Sequence, residues 1–192
     1  MLSYIRLAHH KFMARMQPFG IGGFSTILQG EVAFEVLGSH EFKNQATEGC
    51  TKKTVTQRLV AKREVDSVPM HRSRLQHEKN IIMNMKNAYY FLPHYYIACD
   101  PDYKEIEKVL LIEPLHMNLG QLLILMQHTL SLETKLYLLY MVTQALRYIK
   151  AYKVVHLDLK PGNIMMTPSL GVKLIDFGES YHPNLAGSAW LR

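Results

Sequence analysis

The spacing of apolar positions changes part-way along the chain. Up to about residue 115 most apolar runs are short and strand-like. Arg58-Leu59-Val60-Ala61-Lys62 reads as a strand ending in a lysine, and the aromatic-rich stretch Tyr89 to Ala98, which carries Pro93, reads as another strand and its approach. Val109-Leu110-Leu111-Ile112 is an apolar strand that runs through Glu113 into a turn at Pro114. Between them, residues 72–85 place Leu75, Ile82 and Met85 at helical spacing, which predicts a helix with one face inward. Beyond residue 115 the pattern is helical. Asn118 followed by Gln121 is a capping-box pattern that predicts a short helix through Met126. Ser131 then opens a long amphipathic helix whose stripe (Leu132, Leu136, Leu139, Met141, Val142, Ala145, Leu146, Ile149) is expected to be core packing.

The remaining segments are polar or interrupted. Ser39 to Thr56 shows no clear period and predicts an exposed loop. Pro18 lacks a backbone donor, so its strand is expected to weaken there or to lie at a sheet edge. Residues 1–12 carry Arg6 and Lys11 with no acid, and read as a short basic tail leading into the first strand.

Composition narrows the function class. The chain has 192 residues, 48% of them hydrophobic and 20% charged, the balance of a globular protein able to bury a core. Twenty-two basic against 16 acidic residues give a net charge of +6, which suits an anionic ligand such as a nucleotide. No dense Lys/Arg run is present, so nucleic acid is not the expected partner. No apolar run approaches the roughly 18 residues of a membrane span. Cys50 and Cys99 share no metal-ligand or redox spacing and read as reduced thiols, which suggests a cytoplasmic or nuclear protein.

The chemistry concentrates at Val155-His156-Leu157-Asp158-Leu159-Lys160-Pro161-Gly162-Asn163-Ile164-Met165, with Asp176-Phe177-Gly178 following. Transfer of a phosphoryl group needs a carboxylate to orient the attacking hydroxyl and a cation to offset charge on the moving group. It also needs oxygen ligands for magnesium. Asp158, Lys160, Asn163 and Asp176 supply these residue types in that order. The two motifs together resemble the catalytic loop and metal-binding motif of eukaryotic protein kinases. The resemblance implies that Asp158 orients the hydroxyl, that Lys160 neutralises the transferred group, and that Asn163 and Asp176 hold Mg2+ bridging the phosphates of ATP. His156 and Phe177 are expected to be packed scaffold residues. Lys160-Pro161 is similar to the serine/threonine-specific members.

The rest of the chain falls into the same frame. Gly20-Ile21-Gly22-Gly23-Phe24-Ser25-Thr26-Ile27 resembles the phosphate-covering loop, with Ser25 at the usual third glycine and Ile27 for valine. The resemblance makes Gly20, Gly22, Gly23 and Phe24 phosphate contacts and sets Ile27 and Val60 against the adenine. It makes Lys62 the phosphate-pairing lysine and Glu78 its helix partner. Ile112 becomes the gatekeeper, the Glu113 carbonyl and Leu115 amide pair with the adenine edge, and Met165 joins the nucleotide contacts. The plain alternatives are an exposed lysine at 62, a solvated glutamate at 78 and an ordinary glycine turn. Forty residues separate Gly22 from Lys62, which implies an insertion at about 39–56. Glu113 and Asp158 are 45 residues apart, as the frame requires.

The fold class implied is α+β: a protein-kinase-like two-lobed fold. Residues 13–115 form a small antiparallel β-lobe plus one helix, ending in the hinge. Residues 116–192 form an incomplete helical large lobe ending in the activation segment, with no A-P-E sequence after Trp190. Leu157 stands where the family usually has the arginine that gathers an activation-segment phosphate. Activity is therefore expected not to depend on phosphorylation of Ser180 or Ser188. The function implied is ATP- and Mg2+-dependent phosphorylation of serine and threonine hydroxyls on a protein substrate. An alternative is a catalytically inactive, pseudokinase-like nucleotide-binding fragment. A small-molecule phosphotransferase fits less well, since such relatives typically lack the Lys-Pro pair.

Overall fold

The computed structural model describes residues 2–8, 12–21, 25–37, 54–64, 74–85, 90–100, 102, 104–106, 108–126 and 129–185. The chain divides into two compact units, one of residues 2–76 with 94–114 and one of residues 77–93 with 115–192.

The first unit is built on a sheet of β1 (Leu2–Leu7), β2 (Gln17–Ile21), β3 (Ser25–Leu37), β4 (Thr54–Glu64), β5 (Tyr95–Cys99) and β6 (Val109–Ile112), in the order β1-β5-β6-β4-β3-β2. β1 also pairs with the far end of β3, so β1, β5, β6, β4 and β3 close into a ring. Closure removes the exposed edges that an open sheet would present. All pairings are antiparallel except β1 with β5, which is parallel. Inside the ring lie Ile5, Leu7, Val32, Phe34, Leu59, Ala61, Ala98 and Leu111, with Phe12 of a 3-10 turn (Phe12–Arg15) and Met16 just after it packed against them.

Two expectations change here. Residues 2–7, read as part of a basic tail, form β1. Ile5 is 0% and Leu7 2% exposed, while Arg6 points the other way and pairs with Glu35 directly across on β3. The polar loop is also shorter than expected, because Thr54 to Thr56 already belong to β4 and pair with Glu35 to Ala33. Residues 38–53 lie outside the described residues. Pro18 sits as its chemistry demands. β2 ends the strand order beyond β3, and the register shifts between Pro18 and Gly20.

The second unit holds most of α1 (Arg74–Asn84), α2 (Leu119–Leu125), α3 (Leu132–Ala151) and a small sheet of β7 (Met117–Asn118), β8 (Ile164–Met166) and β9 (Val172–Leu174). The capping box forms: Asn118 Oδ1 accepts from the Gln121 amide at 2.8 Å, and Gln121 Oε1 accepts from the Asn118 amide at 2.9 Å. Ser131 caps α3 by accepting from the Thr134 amide. The buried face of α3 is Leu138, Ala145 and Ile149, whereas Leu132, Leu136 and Leu139 are exposed. The predicted stripe had merged two faces roughly a third of a turn apart. Only the Leu138 face meets the unit's core. No helix among the described residues is long and apolar enough to cross a membrane.

Candidate active site

In the first unit, strand register gathers four of the sequence-predicted residues. Ile27 lies opposite Lys62, and Val60 lies opposite Ile112. Partners directly across a ladder, and residues two apart along a strand, share a face. One face of β3, β4 and β6 therefore carries Ile27, Val60, Lys62 and Ile112, while Leu59, Ala61 and Leu111 point into the ring. Gly20, on the neighbouring strand β2, lies directly opposite Ile27, and a Cβ there would meet no heavy atom within 4 Å. The protein's own packing does not require glycine at that position. Gly22, Gly23 and Phe24 lie outside the described residues.

Glu113 is held by His94, a residue the sequence reading missed. The Glu113 amide donates to the His94 carbonyl at 2.9 Å, and Glu113 Oε1 accepts from the His94 amide at 2.9 Å. The His94 ring stacks on Tyr96, centroids 4.3 Å apart and 7° from parallel. The signal was weak, two aromatic rings at i and i+2 on one strand face.

In the second unit, a 3-10 turn of residues 161–163 follows the loop that carries Asp158, and here three predicted residues meet. Asp158 Oδ2 accepts from Lys160 Nζ at 2.7 Å and from Asn163 Nδ2 at 3.0 Å. Asn163 Nδ2 also donates to the Asp158 carbonyl at 2.9 Å. The hydrogen bond to Asp158 raises the Lys160 pKa; slight burial opposes this, and the charges of Asp158 and Asp176 add to it. Lys160 is therefore cationic at neutral pH. Asn163 is buried, and this bonding leaves its Oδ1 as an oxygen donor. Its carbonyl accepts from the Ile175 amide at 3.1 Å, which ties Asn163 to the residue before Asp176. Leu157 and Asp176 both have positive φ, 60° and 64°, a conformation that costs an L-residue energy and is kept where the surroundings fix it. Met165 lies on β8, paired with Asn118 and Lys173. Leu115 is half-buried just after Pro114.

Glu78 is 1% exposed, and its Oε1 accepts from the Phe177 amide at 3.2 Å. Phe177 is fully buried with its ring 4.9 Å from that of His156. His156 Nε2–H donates to the Ile175 carbonyl at 3.0 Å. Both residues are scaffold, as expected. Burial lowers the His156 pKa, outweighing the Ile175 hydrogen bond and the charges of Asp176, Asp158 and Glu78, all of which would raise it.

That shift predicts an acid-sensitive fold. The unfolded chain takes up a proton near the ordinary histidine value of 6.5, before folded His156 does, so the unfolded state binds more protons in that window. Stability is full above 6.5 and falls as pH drops toward the folded pKa. Thermal unfolding between pH 7 and 5 is expected to show this slope, and His156→Gln, which keeps an N–H donor, is expected to flatten it. An equally steep slope in the variant would assign the effect to another group.

The pattern of the protein kinase domain matches residues 37–188. Mitogen-activated protein kinase homolog NTF6 of Nicotiana tabacum is 26% identical over 176 residues, covering 88% of this chain and 40% of that protein. Mitogen-activated protein kinase 12 of Mus musculus is 44% identical over 55 residues, 28% of this chain and 15% of that protein. Mitogen-activated protein kinase 13 of Bos taurus is 41% identical over 49 residues, 26% and 13% respectively. The chain belongs to the protein kinase family, with the incomplete α+β kinase-like fold described above. It spans between 13% and 40% of the length of these relatives.

Proposed function

We propose that this chain carries out ATP-dependent phosphoryl transfer to serine and threonine hydroxyls of a protein substrate. The observation that carries the reading is the Asp158 carboxylate held between Lys160 and Asn163. The printed names of the relatives, mitogen-activated protein kinases, support the same class.

Each residue takes the part its chemistry allows. Asp158 accepts a hydrogen bond from the substrate hydroxyl and orients it. Lys160, kept cationic beside Asp158, offsets charge on the transferred group. Lys62 pairs with phosphate oxygens, and Ile27, Val60 and Ile112 offer an apolar surface to the base. Asn163 Oδ1 and the Asp176 carboxylate are the oxygen donors Mg2+ prefers. No cluster of three or more His, Cys, Asp or Glu exists among the described residues. A Mg2+ held through one or two protein ligands and substrate phosphates needs none. Bound Mg2+ would supply charge neutralisation at the phosphates.

One competing reading is a nucleotide-binding module that keeps the motif without transfer. The test is to express residues 1–192, then measure Mg-ATP binding by calorimetry and phosphate incorporation into a generic basic protein. Binding with incorporation supports the enzyme. Binding without incorporation supports the module and overturns the proposal.

A further inference from the structure

We propose that His77 and Ser180 are positioning residues, which clamp the turn after Asp176 and tie it to the loop that carries Asp158. This rests on the phosphoryl-transfer reading above.

Residues 177–180 form a turn, closed by the Ser180 amide donating to the Phe177 carbonyl at 3.1 Å. Such a turn leaves one N–H at its start and one C=O at its end to be satisfied. Two adjacent residues of α1 take both. Glu78 Oε1 accepts the Phe177 N–H, and His77 Nε2–H donates to the Ser180 carbonyl at 2.7 Å. One is an acceptor and the other a donor, matched to the polarity of the turn's two ends. Because a carbonyl only accepts, the His77 bond fixes the tautomer with the proton on Nε2.

Ser180 passes the constraint on. Its side chain is 2% exposed, and its Oγ–H donates to the His156 carbonyl at 3.1 Å. The next residue, Tyr181, exchanges two backbone hydrogen bonds with Val155 at 2.8 and 3.0 Å. His156 in turn donates to the Ile175 carbonyl. The chain just before Asp158 is thus bonded on both sides of the turn, at Ile175 and at Ser180-Tyr181. A shift of the His77-Glu78 segment moves both ends of the turn, and through Ser180 it reaches His156, two residues from Asp158.

The arrangement also changes the meaning of Ser180. A hydroxyl that is buried and already donating is a structural link. Its loss is expected to act through position and not through missing phosphorylation.

The test compares His77→Leu with His77→Gln, which keeps an N–H donor near the Nε2 position, and Ser180→Ala with Ser180→Cys, which keeps the volume and a weak donor. Misplacement of a reacting group by about 1 Å costs on the order of 10²-fold in rate. His77→Leu and Ser180→Ala are therefore expected to lower kcat by roughly 10- to 100-fold, with the KM for ATP within about twofold. His77→Gln and Ser180→Cys are expected to recover part of the loss. The second readout is amide hydrogen exchange at Phe177 and Tyr181, which needs no activity. Exchange is expected to be about tenfold faster in His77→Leu and Ser180→Ala, as local opening becomes easier. A wild-type chain that binds ATP without transfer sinks the transfer reading, and exchange then decides the clamp. Unchanged exchange in both variants, or no recovery by His77→Gln over His77→Leu, overturns the clamp itself.

Discussion

Asp158→Ala is expected to reduce phosphoryl transfer by about 10³-fold, within the 10²–10⁴ range of a positioned acid–base group. Mg-ATP binding is expected to stay within about threefold, because the loss falls on the step and not on uniform binding. The reason lies in one oxygen. Asp158 Oδ2 accepts from both Lys160 Nζ and Asn163 Nδ2. Removing it takes away the acceptor proposed for the substrate hydroxyl and the anchor that holds Lys160. It also leaves the Asn163 amide one acceptor short, so some stability is lost too. Asp158→Asn separates the two effects. An amide oxygen in the Oδ2 place can still accept from Lys160 and Asn163, but it carries no charge and little basicity. Asp158→Asn is therefore expected to melt close to the parent and to be nearly as inactive as the alanine variant. Phosphate incorporation and thermal unfolding check this together. An Asp158→Asn chain retaining more than about a tenth of the parent rate would remove Asp158 from the role argued for it.

The parts of this site that were legible in the sequence are those whose partners are close along the chain. Asp158, Lys160 and Asn163 span six positions, and each bond among them is between residues two or five apart. The capping box at Asn118 and the cap at Ser131 are local for the same reason. The strand register that lines up Ile27, Val60, Lys62 and Ile112 was accessible through the glycine loop and the lysine that follows it. What was not legible depends on distant pairing. His77 and Ser180 are 103 positions apart, and Phe177 and Glu78 are 99 apart. No periodicity marks such a pair. The α3 stripe failed differently. Its leucines recur on two faces, and composition cannot say which face the rest of the unit will cover.

Removal of residues 2–7 is expected to abolish cooperative unfolding of the first unit and to make the chain aggregate. In a sequence reading these residues belong to a short basic tail leading into the first strand. In the structure β1 sits between β3 and β5, antiparallel to one and parallel to the other. Parallel pairing with Tyr95–Cys99, some ninety residues downstream, is a contact that no local signal announces. Deleting β1 opens the ring and leaves β3 and β5 each with an unpaired row of N–H and C=O groups. Such edges recruit other chains. It also withdraws Ile5 and Leu7 from the interior and exposes their neighbours Phe34 and Ala98. Ile5→Ala is the graded form of the same test. The residue is fully buried, so the lost methylenes and the cavity left behind are expected to cost about 2–5 kcal/mol. Arg6→Ala, on the partly exposed outer face opposite Glu35, is expected to cost no more than about 1 kcal/mol. The contrast between neighbouring residues is what identifies a strand, since a flexible tail would make both substitutions silent. Denaturant unfolding of the two variants, beside the deletion, measures it. Equal and small effects at Ile5 and Arg6 would return residues 2–7 to the role of a tail.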